Sequence, residues 1–266
     1  MPGFISRQQR FAVVGSTNDV VRRWLADGIP EVCLAVADEQ TAGRGRDGRT
    51  WTAPAGASLL LSLGFRPAWS RPDKLWRLAA IGSLAMAEAG EEIAAVPSGT
   101  IMLKWPNDLV VEAGDGVLKL AGVLGETDGI GSDDPRAVIG IGVNGDWPRA
   151  GFPADLADSM TSLRELAARA IDHDDVLDGF LRRLGPRLVD LREGRFDGPG
   201  WAERQVTTDR DVELIDPDGG RTTVRATGVD IDTGALLVGG RSVMVGEIAH
   251  VRLAAQVTTP QTRVGV

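Results

Sequence analysis

Gly140-Ile141-Gly142-Val143-Asn144-Gly145, followed by Trp147-Pro148 and Gly151-Phe152-Pro153, is the stretch on which the fold turns. It satisfies the G-x-G-x-x-G pattern and ends an apolar run at 135–143 that reads as a strand. A dinucleotide-binding βαβ unit needs a helix to begin at this point and hold pyrophosphate at its N-terminus. The two prolines and the extra glycine exclude that helix, and with it the dinucleotide-binding match. The stretch between Val143 and Thr161 reads instead as a long, functional loop.

Working outward, strand-like segments lie at 31–37, 57–65, 100–105 and 117–126. A helix starts after Ser16, carries Val20, Val21, Trp24 and Leu25 on one face, and stops at Gly28. A longer amphipathic helix is predicted from Asp73 to Ala89, and others at 162–170 and 173–193. Hairpin-like strand pairs mixed with helices indicate an α+β fold with a mixed or antiparallel sheet. From Asp211 the texture changes to short strands at 211–216, 221–229, 234–239 and 241–246, the pattern of a small β-barrel or sandwich. The expected organisation is a large unit at 1–205, a small β-domain at 206–253 and a mobile tail at 254–266.

The 266 residues, 43% hydrophobic and 25% charged, are those of an ordinary globular chain. No apolar run approaches the roughly 20 residues of a membrane span, and Met1 to Arg10 lacks a secretory signal, so a cytoplasmic location is expected. A net charge of −8 opposes nucleic-acid binding. The single cysteine, Cys33, lies in the run Val32-Cys33-Leu34-Ala35-Val36 and reads as a buried strand residue. His173 and His250 stand alone and read as surface or structural residues, and no His/Cys cluster has metal-site spacing.

Three segments carry candidate chemistry. Gln40-Thr41-Ala42-Gly43-Arg44-Gly45-Arg46-Asp47-Gly48-Arg49-Thr50-Trp51 interleaves three arginines with three glycines. Its backbone can approach an anion while guanidiniums grip phosphate or carboxylate oxygens; the plain alternative is a solvated basic loop. Trp51 reads as a pocket wall or a core anchor. Lys104-Trp105-Pro106-Asn107-Asp108 ends a strand in a turn. Lys119 sits inside Val117-Leu118-Lys119-Leu120-Ala121-Gly122-Val123-Leu124, where a buried ammonium needs a partner unless it faces an edge.

Gly15-Ser16-Thr17-Asn18, Gln40 to Arg46, Lys104 to Asp108, Lys119-Leu120-Ala121-Gly122 and Gly140 to Asn144 resemble, in order and spacing, the motifs of the biotin-protein ligases. The resemblance covers residues from about 10 to 253. It implies a catalytic core like that of class II aminoacyl-tRNA synthetases and an SH3-like C-terminal barrel. It also implies an ATP-dependent enzyme that makes biotinyl-5'-AMP and transfers biotin to a lysine of a biotin carboxyl carrier domain. Ser16, Thr17, Asn18 and Gln40 are then expected to recognise biotin, with Gly43, Trp51, Gly122, Gly140 and Gly142 around it. Arg44, Gly45 and Arg46 close over the carboxylate and α-phosphate, Arg49 and Trp51 support the closed loop, and Lys119 bridges carboxylate and phosphate. Lys104, Asn107 and Asn144 complete the ATP site, with Mg²⁺ near Asn107 and adenine against Met160 or Trp147. Only fifteen residues precede Ser16, so a helix-turn-helix and sequence-specific DNA binding are not expected. A lipoate-protein ligase or octanoyltransferase, or a non-catalytic biotin sensor or repressor, is the competing reading.

Overall fold

The computed structural model describes residues 3–247 and 250–253; the expected tail at 254–266 lies outside them. The described residues form two sheets and five α-helices. The larger sheet takes β1 (Arg7–Val14), β2 (Cys33–Gln40), β3 (Ser58–Phe65), β4 (Ile101–Lys104), β5 (Asp108–Ala113), β6 (Gly116–Asp128) and β7 (Arg136–Asn144) in the order β1-β2-β3-β7-β6-β5-β4. β1 and β2 run parallel and the other pairs antiparallel, so the sheet is mixed and the fold α+β.

The central strand explains its sequence. Ser58-Leu59-Leu60-Leu61-Ser62-Leu63-Gly64-Phe65 is buried throughout because helices cover both faces. On one face α1 (Thr17–Ala26) packs Val21, Trp24 and Leu25 against Cys33, Ala35 and Val138. Gly64 admits that helix, since a Cβ there would lie 2.6 Å from Val21 Cγ1 and 2.7 Å from Cys33 Sγ. On the other face lie α2 (Trp76–Ala94) and α4 (His173–Arg192), which pack together. Each leucine buried in this layer contributes about 1.5–3 kcal/mol. α3 (Leu163–Ala167) and α5 (Gly198–Glu203) are short.

Several boundaries differ from expectation. Ser16 is the N-cap residue of α1, but its side chain makes no capping hydrogen bond. Gly28, at φ 85°, ends the helix as predicted. The second helix runs to Ala94 and begins only after a 3₁₀ turn at Pro72–Lys74. β1 and β5 escape the sequence reading: β1 is a largely exposed edge strand without alternation, and β5 begins inside the Lys104–Asp108 motif that reads as a turn.

The smaller sheet contains β8 (Arg210–Ile215), β9 (Arg221–Val229), β10 (Leu236–Val238), β11 (Arg241–Val243) and β12 (His250–Leu253). Its order, β11-β10-β9-β8-β12, is antiparallel and has two ends, so among the described residues the expected barrel does not close. The turn before β10 is wedged against the larger sheet: the Trp105 indole Nε1–H donates to Gly234 O at 2.9 Å. A Cβ on Gly234 would lie 2.7 Å from Trp76, a close approach that glycine permits. None of the described helices is long and apolar enough to cross a membrane.

Candidate active site

The floor of the cavity between α1, β6 and β7 is made by absent side chains. Gly140 and Gly142 on β7 and Gly122 on β6 point one way by the two-residue period of a strand. A Cβ on Gly140 would lie 2.3 Å from Asn18 Oδ1, and one on Gly142 would lie 2.7 Å from Trp51 Cε2. A Cβ on Gly122 would meet Trp51 Cζ3 at 3.0 Å. The glycine pattern therefore makes room for Asn18 and an indole rather than for pyrophosphate.

The first turn of α1 and the end of β2 supply the polar wall. Gln40 Oε1 accepts from Thr17 N at 2.7 Å and Thr17 Oγ1 at 3.0 Å. Ser62 Oγ donates towards Thr17 Oγ1 at 2.7 Å and Asn18 Oδ1 at 2.5 Å, and Asn18 Nδ2 donates to Glu126 Oε2 at 2.6 Å. This network holds polar atoms of fixed orientation beside apolar Leu61, Val123 and Leu124, which also line the cavity.

The opposite end is cationic. A register shift between Leu109 and Val110 on β5 sets Lys119 opposite Val110 on β6. Lys119 Nζ lies 2.7 Å from Asp108 Oδ1, too oblique for a directed hydrogen bond, and 5.4 Å from the centre of the Trp51 ring. The partner that a lysine in this strand requires is thus Asp108. Lys104, only 9% exposed, lies 3.8 Å from the other oxygen of Asp108. Burial pushes the Lys104 pKa down against the attraction of Asp108.

The arginine loop is a small hairpin: Gly45 N donates to Arg49 O at 2.7 Å and Trp51 N to Gly43 O at 3.0 Å. Asp47 (φ 54°) and Gly48 (φ 72°) turn its tip through the left-handed region. The Arg44 fork is held by both carboxylate oxygens of Asp19 at 2.8 and 2.7 Å, which keeps the Asp19 carboxyl below its usual range. Arg46 donates to Val245 O at 2.9 Å, tying the loop to the 3₁₀ turn Val245–Glu247 that follows β11.

A second cavity adjoins the first through Arg49, Thr50, Trp51, Lys104, Asp108 and Lys119, and continues to Asn144, Trp147, Ser159 and Met160. The empty space is about 880 Å³ in the first and about 1670 Å³ in the second, open solvent included. Backbone bonds Lys119 N to Ser159 O at 2.8 Å and Thr161 N to Lys119 O at 2.9 Å fasten the 145–161 loop to β6.

Ser16, Thr17, Asn18, Gln40, Arg44, Gly45, Arg46, Arg49, Trp51, Lys104, Asn107, Lys119, Gly122, Gly140 and Gly142 all line the first cavity. Gly43 stands behind it, where a Cβ would lie 2.3 Å from Trp51 O. Asn144 lies in the second cavity, its amide donating to Thr161 O at 2.9 Å. The Asn107 amide is turned inward to Val123 O at 2.9 Å. Trp147 is fixed by Gly151 O at 3.0 Å and by Phe152, so it walls the cavity without swinging in. Asp19, Ser62 and Glu126 were not anticipated. Glu126 had a signal, because the strand period places it on the same face as Gly122 and Leu124. Asp19 and Ser62 had none, since their partners are distant in sequence.

Among the described residues no group of three His, Cys, Asp or Glu side chains could hold a metal. Residues 11–144 match the model of the biotin/lipoate A/B protein ligase family. The chain belongs to that family. It is 33% identical over 248 residues to the biotin–[acetyl-CoA-carboxylase] ligase of Mycobacterium tuberculosis, covering 91% of this chain and 88% of that protein. It is 32% identical over 223 residues to the ligase of the same name from Paracoccus denitrificans, covering 81% and 88%. The structure of the Aquifex aeolicus biotin protein ligase in complex with biotin and ATP superposes with a TM-score of 0.75 at 27% identity, over 93% of this chain and 99% of that one. The Aquifex ligase thus shares the overall fold of this chain along nearly its whole length.

Proposed function

We propose that the chain is an ATP-dependent biotin-protein ligase, forming biotinyl-5'-AMP and passing biotin to a lysine of a biotin carboxyl carrier domain. The observation that carries this reading is the shared wall: a cavity with a glycine and leucine floor and a fixed polar end opens, at Lys119 and Asp108, onto a second, larger cavity. Biotin's ureido ring fits the Ser16, Thr17, Asn18 and Gln40 end, and its apolar body fits the glycine floor beneath Leu124. Its carboxylate then lies beside Lys119 and Arg46.

Attack of that carboxylate on the α-phosphorus brings two anions together and builds charge on the phosphoryl oxygens and the departing pyrophosphate. Lys119 and Arg46, fixed before the reaction begins, stabilise that charge better than water does; removing one such donor costs about 10²- to 10³-fold in rate. Arg44, paired with Asp19, anchors the root of the loop. Arg49 and Lys104 add positive charge for ATP; a Mg²⁺ ion accompanying it would neutralise phosphate charge, and Asp108, which lines both cavities, would be the carboxylate available to hold it. Asn144, through Thr161 O, holds the backbone at the nucleotide cavity, Asn107, through Val123 O, holds β6 at the first cavity, and Met160 and Trp147 form the adenine wall. Loop closure also keeps water from the mixed anhydride until the acceptor amine arrives.

The same proposal divides the chain into a class II synthetase-like catalytic domain at 1–205 and an SH3-like module at 206–253, and places the reaction in the cytoplasm. The gathering of β8 to β12, all after residue 205, in a sheet of their own supports the division. An octanoyltransferase with a cysteine nucleophile is disfavoured, because Cys33 is fully buried and its thiol is pushed up to about 11 by desolvation. Biotin-dependent exchange of pyrophosphate into ATP, followed by labelling of a carrier domain, tests the reading. Exchange supported by lipoate or octanoate but not by biotin would refute it.

A further inference from the structure

Behind the second cavity lies a cluster that the proposed mechanism does not use. His173 is the first residue of α4, and its imidazole covers Gly145, the residue after β7. A Cβ on Gly145 would lie 2.1 Å from His173 Nε2 and 2.6 Å from Cδ2. Gly145 is not among the residues with positive φ, so ring contact, not backbone conformation, demands glycine here. His173 Nε2 accepts from the Asp146 backbone N–H at 3.1 Å, which requires a neutral ring with its proton on Nδ1.

That single bond sits at a junction. Gly145 N donates to Ala57 O at 3.1 Å and Gly145 O accepts from Arg164 N at 3.1 Å. The Asp146 carboxylate accepts from Ile171 N at 3.0 Å and pairs with Arg164 at 2.9 Å. Gly145 and Asp146 are therefore the root of the loop that carries Trp147, Leu156, Ser159 and Met160 to the wall of the second cavity.

We propose that His173 is a positioning residue for nucleotide binding: its neutral imidazole latches the root of the 145–161 loop, and protonation unlatches it. The inference rests on the reading of the second cavity as the nucleotide site. His173 touches neither cavity and acts only through Gly145 and Asp146. A protonated Nε2 presents an N–H to the Asp146 N–H, replacing attraction by repulsion. The charges facing the ring are Asp146 from the loop, Asp172 from its own helix cap, Arg10 from β1 and Asp38 from β2, with Arg169, Asp174 and Asp175 lining the same cleft. Burial, the largest influence, holds the ring below its ordinary value of 6.5 despite the attraction of Asp146. The latch is thus formed at neutral pH and lost as pH falls below 6.5 through the lowered value.

The test is the ATP KM in biotin-dependent pyrophosphate exchange between about pH 5.5 and 8, the range in which a histidine titrates. For the wild type the ATP KM rises severalfold towards the acid end while the biotin KM stays level. His173→Gln, whose amide oxygen accepts from Asp146 N–H without titrating, loses that rise. His173→Leu and Gly145→Ala raise the ATP KM by roughly tenfold at every pH, the size expected when a buried donor loses its acceptor. Amide hydrogen exchange in the ligand-free protein reads the latch without catalysis: exchange across 145–161, corrected for its intrinsic pH dependence, accelerates below pH 6.5 in the wild type and not in His173→Gln. An unaltered acid rise of KM in His173→Gln, or the same exchange profile in both proteins, overturns the proposal even if His173→Leu fails to fold. A chain that performs no pyrophosphate exchange at all overturns the proposed function instead, and the hydrogen-exchange comparison then decides the latch.

Discussion

Lys119 and Gly142 show how single residues set the site. Lys119 is charged within an apolar strand and is compensated by Asp108 at 2.7 Å, so its removal leaves Asp108 beside Lys104 and the fold intact. Lys119→Ala is expected to lower biotin-dependent pyrophosphate exchange by at least about 10²-fold while circular dichroism and melting change little. Near wild-type exchange would remove Lys119 from the reacting centre. Gly142 is the inverse case, a position that works by having no side chain. In Gly142→Ala the new methyl would lie 2.7 Å from Trp51, and displacing that indole costs about 1–3 kcal/mol. Biotin affinity measured by calorimetry should fall accordingly; wild-type affinity would show that the indole has room to move.

At the scale of elements, the arginine loop couples parts that the sequence keeps far apart. Its own backbone bonds form the hairpin, Asp19 on α1 holds Arg44, and Val245 near the smaller sheet holds Arg46. Fixing such a segment costs roughly 1–2 kcal/mol of backbone entropy per residue, which contacts to bound ligand help these bonds to offset. A charge-assisted hydrogen bond contributes about 1.5–3 kcal/mol; Arg46→Gly should therefore release preformed biotinyl-AMP roughly ten- to a hundredfold faster. Stray biotinylation of serum albumin should rise with it. Unchanged release would show that Arg46 does not clamp the adenylate. The same scale shows what local patterns miss: β1 lacks alternation because one edge faces solvent, and β5 is recognisable only from its pairing with β4 and β6.

For the molecule as a whole, burial decides what Cys33 can do. It lies between α1 and the sheet, fully buried, with its thiol pushed up to about 11. The shortage of thiolate alone should slow alkylation at neutral pH by about two orders of magnitude relative to a free cysteine, and burial slows it further. Mass-spectrometric labelling of the native protein should be negligible and should appear only with global unfolding. Rapid native labelling would contradict this packing. The docking of the turn before β10 is likewise a property of the whole, made by Gly234 against Trp105 after β4 and Trp76 of α2, three residues that no local motif connects.

The sequence alone determined the α+β class, the rejection of a dinucleotide fold, the family motifs and most of the residues around the first cavity. It could do so because strand period, helix caps and glycine-rich turns are local properties, written within a few residues of where they act. Only the tertiary structure decided that the glycines of β6 and β7 accommodate Asn18 and Trp51, that Asp108 balances Lys119, and that Asp19 and Glu126 hold Arg44. It alone set His173 over Gly145. These are contacts between side chains from separate elements, fixed by how the helices and the two sheets pack, and no spacing along the chain encodes that distance.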